Sequence, residues 1–119
     1  MSVDIDLDQD NRVALLIVRG DLTSQSAPAV SGAIAGLVAR DGYDVVVDLT
    51  ESGTLLAGGV RALRRGWDLA HEHHRSLRVA CPPSSPVRPA LVLSHLDEEL
   101  PVYDTRAEAL SAPAMPAEG

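Results

Sequence analysis

The chain of 119 residues has no phenylalanine, one tryptophan (Trp67) and two tyrosines, so its core must be built from Val, Leu, Ile and Ala. A single cysteine, Cys81, cannot form an internal disulfide, which fits a reducing compartment and a thiol used as small buried filler. No apolar run approaches the length of a bilayer span, and the first ten residues carry four aspartates where a leader would be basic and then apolar. These absences predict a cytoplasmic protein with no direct membrane insertion. Basic charge is also scarce. A formal net charge of −7 argues against nucleic acid or an anionic membrane surface as partner, and a neutral or basic protein is easier to accommodate.

Catalytic signatures are missing as well. No glycine-rich phosphate loop, no nucleophile with a matching base and no paired-carboxylate motif stands out, so an enzyme is not expected. The run His71-Glu72-His73-His74 lacks the His-Glu-x-x-His spacing, because its fifth residue is Arg75. Only His71 and His74 are expected to share a helical face, and the run reads as a solvated C-terminal turn whose histidines suit the helix dipole. No metal and no cofactor is expected.

What is present is the patterning of one α/β domain over residues 1–110 followed by a disordered Ala/Pro tail over 111–119. Val3-Asp4-Ile5-Asp6-Leu7 alternates as a half-exposed strand does, and after the polar turn Gln9-Asp10-Asn11 a better buried strand follows through Val18. Thr23, Ser24 and Ser26 offer capping hydroxyls to a helix that opens near Pro28 and stops at Asp41-Gly42. The β-branched run in Tyr43–Leu49 predicts a central strand.

An apolar half-strand then leads into a helix from about Gly58 to His73, with Val60, Leu63, Trp67 and Ala70 on its inward stripe and Arg61, Arg64 and Arg65 outside as a basic patch, which reads as a solvated face or, alternatively, as the counterpart of a partner's acidic rim. Ser76–Cys81 reads as a strand, Pro82–Pro86 as a loop, Ala90–Leu93 as helical and Val102-Tyr103 as extended. Thr105-Arg106-Ala107-Glu108 has capping-box spacing for a closing helix through Leu110. Strands and helices in this order, with a hairpin first, predict a mixed β-sheet with packed crossover helices.

Four segments, in this order and at this spacing, resemble STAS domains of the bacterial anti-sigma factor antagonist type. They are VRGDLTSQSAPAV, DVVVDLT, GGVRALRRGWDLAHEH and ALVLSHLDEELPVYDTRAEAL. The resemblance implies a protein-binding regulatory module. In that family a serine of an Asp-Ser-Ser-Gly motif at the start of the second helix is phosphorylated by an anti-sigma factor that is also a serine kinase of the GHKL type. The unphosphorylated form binds that kinase and releases the sigma factor.

Family spacing puts the motif on Leu56-Ala57-Gly58-Gly59, so Gly58 stands at the phosphoacceptor position, Leu56 replaces the aspartate and Gly59 alone is retained. Thr23 occupies the place of the usual first-loop aspartate. The resemblance thus implies a binding surface of Thr23, Ser24, Leu56, Ala57, Gly58, Gly59 and Arg61 that works without phosphate at the usual position. Leu55 reads as core, and Leu56 as either core or interface. Ser52 and Thr54 are the candidate substitute acceptors. A register that uses Glu51-Ser52-Gly53 as the motif would start the helix about six residues early and fits its apolar face worse.

The implied partner is an anti-sigma factor kinase or another STAS protein. A STAS-type accessory subunit of a membrane lipid transporter complex is the alternative. A small-ligand sensor with a pocket between the first loop and the second helix is a weaker one.

Overall fold

The structure is a computed structural model that describes residues 2–112. Alternating apolar and acidic residues form β1 (Ser2–Asp8), which pairs antiparallel with the ten-residue β2 (Val13–Leu22). The connecting turn is closed by the Asp8 carboxylate, which accepts from the Asn11 side chain at 2.8 Å and from its backbone N–H at 3.1 Å. Those bonds hold the Asp8 carboxyl below the usual range.

Two strands share β2. Its first half, Val13 to Ile17, runs parallel to β3 (Asp44–Asp48), the β-branched strand the sequence places at the centre. After a register shift between Gly20 and Asp21 its second half runs parallel to β4 (Ser52–Leu55). Gly20 has a positive φ of 96°, a conformation that glycine adopts without strain. Beyond β3 the sheet continues, all parallel, through β5 (Leu77–Ala80) and β6 (Val102–Tyr103). The order is β1-β2-β3-β5-β6 with β4 on β2, the mixed sheet with an initial hairpin that the patterning predicts.

One face of the sheet carries the main core. Helix α1 (Ala27–Ala35), extended by a wider π turn over Gly36–Arg40, and α2 (Ala57–Glu72) bury Val30, Ile34, Leu63 and Ala70 against Leu16, Val18, Val45 and Val47. Two short helices, α3 (Arg88–Leu93) and α4 (Leu96–Glu99), add Leu91 and Leu96 to that cluster. The sequence shows one helical run here. The split falls at His95, whose φ of 61° no α-helix continues through.

The buried face of α2 is rotated from the expected stripe. Gly59, Ala62, Leu63, Gly66 and Ala70 are buried, whereas Val60 and Trp67 are only half-buried. The cause is close packing on α1 through small residues: a Cβ on Gly66 would lie 2.9 Å from Ile34 Cδ1.

The opposite face is covered by α5 (Arg106–Ser111), whose Ala109 sits on Leu15, Ile17, Val46 and Ala80. So small an apolar contact is supplemented by polar ones. Thr105 Oγ1 accepts from the Glu108 N–H at 3.1 Å, as the capping-box spacing predicts. Arg106 Nε donates at 2.7 Å to Asp48, which is fully buried. Arg78, also buried, donates to the carbonyls of Ala109 at 2.8 Å and Ala112 at 2.5 Å. Ser111, assigned from the sequence to the tail, is the last residue of α5, and residues 113–119 of that tail lie outside the described residues.

Candidate functional site

Parallel pairing of β2 with β4 delivers two chain segments to the same end of the sheet. Leu22 and Leu55 are register partners, and the Leu56 N–H donates to the Leu22 carbonyl at 3.0 Å. The chain therefore leaves β2 into the Thr23–Ser26 loop and leaves β4 into α2 side by side. Crevices at the carboxyl ends of parallel strands are where α/β folds usually place their sites.

Helix α2 begins at Ala57, so Ala57, Gly58 and Gly59 are its first three residues and the doublet stands at the helix start. Neither glycine has a positive φ, and the reason for both is contact. A Cβ on Gly58 would lie 2.5 Å from Ser24 Cα and 2.8 Å from Ser24 N. One on Gly59 would lie 2.7 Å from the Leu22 carbonyl oxygen. Leu55 is core, as expected. Leu56 is 53% exposed and occupies the N-cap in extended conformation with no side-chain bond to the helix amides. Leucine is among the poorest N-caps, so this position is not optimised for folding.

The loop hydroxyls differ from expectation. Thr23, Ser24 and Ser26 do not cap α1 through their side chains. Instead Ser26 Oγ accepts from the Thr23 N–H at 2.8 Å and donates to the Asp21 carbonyl at 2.8 Å, while Thr23 Oγ1 accepts from the Gln25 N–H at 3.2 Å. Short polar side chains compete in this way for nearby loop backbone, which here fixes the loop instead of the helix end. Ser24 is left exposed at the surface beside Gly58.

Of the two substitute phosphoacceptors, Ser52 is only 3% exposed and donates its Oγ hydrogen to the Val18 carbonyl at 2.9 Å. Its hydroxyl is closed to a kinase while the chain is folded, which corrects the reading of Ser52 as an acceptor. Thr54 is half-exposed on β4. Ser52 and Gly53 lie in that strand, not at a helix start, so the register based on Glu51-Ser52-Gly53 fails.

The three arginines of α2 do not form one patch. Arg64 turns toward α4, where its Nε donates to Glu99 at 2.6 Å and its Nη2 to the Ser94 carbonyl at 3.3 Å. Arg61 and Arg65 turn the other way and, with Ser24, Ser31, Gly58 and Ala62, line a groove of about 420 Å³ between α1 and α2. Pro28, Ser31 and Ala62 were not legible as site residues, whereas Arg65 was, as a member of the basic patch. The usable signal was the four-residue spacing of Gly58, Ala62 and Gly66, which brings two helices close.

The histidine run also departs from expectation. The His71 ring packs tilted against Trp67 with centroids 4.1 Å apart, while His74, with φ 56°, lies past the end of α2, so the two do not share a helical face.

With hairpin, shared strand and glycine-opened helix in place, the arrangement is that of STAS domains. The family model described as Mlab, STAS domain, matches residues 5–102, and the chain belongs to this family. No curated protein matches. Among solved structures, an anti-sigma factor antagonist from Mycobacterium paratuberculosis is 26% identical, covering 92% of each chain at a TM-score of 0.76. A Thermotoga maritima protein assigned as an anti-sigma factor antagonist is 17% identical, covering 91% of each chain at 0.79. A sulfate transporter family protein from Wolinella succinogenes is 18% identical, covering 83% of this chain and 82% of that one, at 0.71. Among the described residues no helix is long and apolar enough to cross a membrane.

Proposed function

We propose that this STAS domain is a protein-binding regulatory module of the anti-sigma factor antagonist type that engages its partner without phosphorylation at the start of α2. The observation that carries the reading is the contact of Gly58 with Ser24. Glycine offers no hydroxyl, and the space a side chain would need is filled by Ser24 backbone. The surface of Thr23, Ser24, Leu56, Ala57, Gly58, Gly59 and Arg61 then stays permanently in the form that relatives hold when unphosphorylated. An exposed leucine at a cap position favours an apolar anchor for the partner. The partner is an anti-sigma factor of the serine-kinase type or another STAS protein, and the setting is cytoplasmic.

A pull-down with wild type and Leu56→Asp tests this directly. Loss of one specific partner from the variant is expected, and equal recovery would overturn the reading. Gly58→Asp is a second probe, with the complication that it must displace the Ser24 loop to fit.

A second reading, an accessory subunit recruited to a membrane transporter complex of the lipid-transport kind, is favoured by the Mlab description of the family and by the likeness to a sulfate transporter family protein. Recovery of an ATP-binding-cassette component in place of a kinase or sigma-factor regulator would select it.

A further inference from the structure

The basic side chains of this protein are ten arginines and no lysine. Eight of the arginines donate a hydrogen bond or close an ion pair within the fold. The two with neither, among the described residues, are Arg61 and Arg65. A lone unpaired surface arginine is ordinary. Here both line the same groove, although the chain has 17 acidic residues with which it could have neutralised them.

They stand four residues apart on α2, one helical turn, which places their Cβ atoms about 6 Å from each other. Among the described residues no carboxylate lines the groove, whose other lining residues are Ser24 and Ser31 with the small or apolar Ala27, Pro28, Gly58 and Ala62. The site is therefore locally cationic on a protein whose overall field is anionic.

We propose that this groove receives an acidic segment of the partner protein, with two carboxylates one helical turn apart, each meeting one guanidinium. The inference rests on the partner-binding surface proposed above and names the chemistry of what lies beside it. A planar guanidinium takes a carboxylate in a two-bond fork, and two forks one turn apart fix both position and direction of the incoming segment. The small residues of the floor let a backbone approach, and the hydroxyls supply further hydrogen bonds. The groove is open along its length, which suits a chain segment better than an enclosed small molecule. Long-range repulsion from a net charge of −7 opposes extended polyanions such as nucleic acid or an anionic bilayer, whereas a short acidic stretch matched to two arginines is held at close range. Outside that stretch the partner is neutral or basic.

The test uses the full chain and a labelled helical peptide bearing Glu at positions i and i+4, followed by fluorescence anisotropy at low salt. The Glu peptide is expected to bind better than its Gln counterpart and to weaken as salt rises. The R61Q/R65Q double variant should bind about tenfold less tightly, as two exposed arginine–carboxylate pairs supply, and should no longer distinguish the peptides. Charge exchange, R61E/R65E against a Lys peptide, should restore binding.

Failure of wild type to prefer the Glu peptide, or unchanged binding by the double variant, would overturn the proposal. Inorganic phosphate competing as well as the Glu peptide would do so too, as would arginine-dependent binding to phosphatidylglycerol vesicles. In partner pull-downs run beside these, loss with Leu56→Asp but not with R61Q/R65Q sinks the groove and spares the surface. Loss with neither sinks both.

Discussion

Gly58 and Ser24 are packed so closely that a single methyl group on the former would sit 2.5 Å from the Cα of the latter. Alanine in place of glycine inside a helix gains about 1 kcal/mol from propensity. Overpacking against backbone costs about 1–3 kcal/mol, and it wins here because Ser24 can yield only by moving its loop. Gly58→Ala should therefore lower stability in urea unfolding by about 1 kcal/mol with an unchanged slope. Gly58→Ser should do no better, so restoring a hydroxyl at this position does not by itself restore a switch.

Leu56→Asp should separate folding from binding. An N-cap carboxylate accepts from the first free amides of α2 and meets the positive end of the dipole, so the variant should be more stable by about 1 kcal/mol in thermal or urea unfolding. Loss of the partner would then come from a better folded protein, which excludes misfolding as its cause. A less stable variant would contradict the assignment of Leu56 as an N-cap.

Asp48 makes the ion pair that holds α5 down. Its carboxylate also accepts from the Thr50 N–H and hydroxyl, so removal of Arg106 leaves it buried but not bare. Arg106→Gln should cost about 1–3 kcal/mol, the range for stranding part of a buried charge, reduced because the arginine itself is half-exposed. Arg19→Ala, which cuts exposed pairs to Asp4 and Glu51, should cost under about 1 kcal/mol. Equal losses in the two variants, measured by denaturant unfolding, would contradict this ranking.

Burial pushes the Cys81 thiol up, against smaller opposing effects of Ser85 and Arg88. Iodoacetamide at neutral pH should leave the native chain unmodified and label it fully in denaturant. The sign for stability follows from the protonated form being the one the fold retains. Its contribution is complete below the unfolded thiol value of about 8.5 and is lost as pH rises toward the higher folded value. A Cys81→Ala variant should show a flatter decline of stability on the alkaline side.

Most of the framework was legible because its signals are local. The β1–β2 alternation, the β-branched run of β3, the capping box at Thr105 and the start of α2 are properties of a few adjacent residues. The strand β4 was visible only as an apolar half, since Ser-Gly-Thr-Leu has little strand preference and is extended by its pairing with the end of β2. The break at His95 left no glycine or proline to announce it. At the candidate site the doublet was evident, but its cause, contact with a residue 34 positions earlier, was not. Neither was the isolation of Arg61 and Arg65, which depends on where every carboxylate comes to rest. Ser52 looked available because burial by a neighbouring strand leaves no trace in its own sequence.

Among the described residues the first strand ends the sheet with an unpaired backbone edge, and its register sets Asp4, Asp6 and Asp8 in a row on one side of it. The first strand of a second copy, added there, would set its own row of carboxylates against this one. Growth of fibrils from this edge is thereby discouraged at neutral pH, and acidification dismantles the guard, although at Asp8 the turn holds the carboxyl below the usual range.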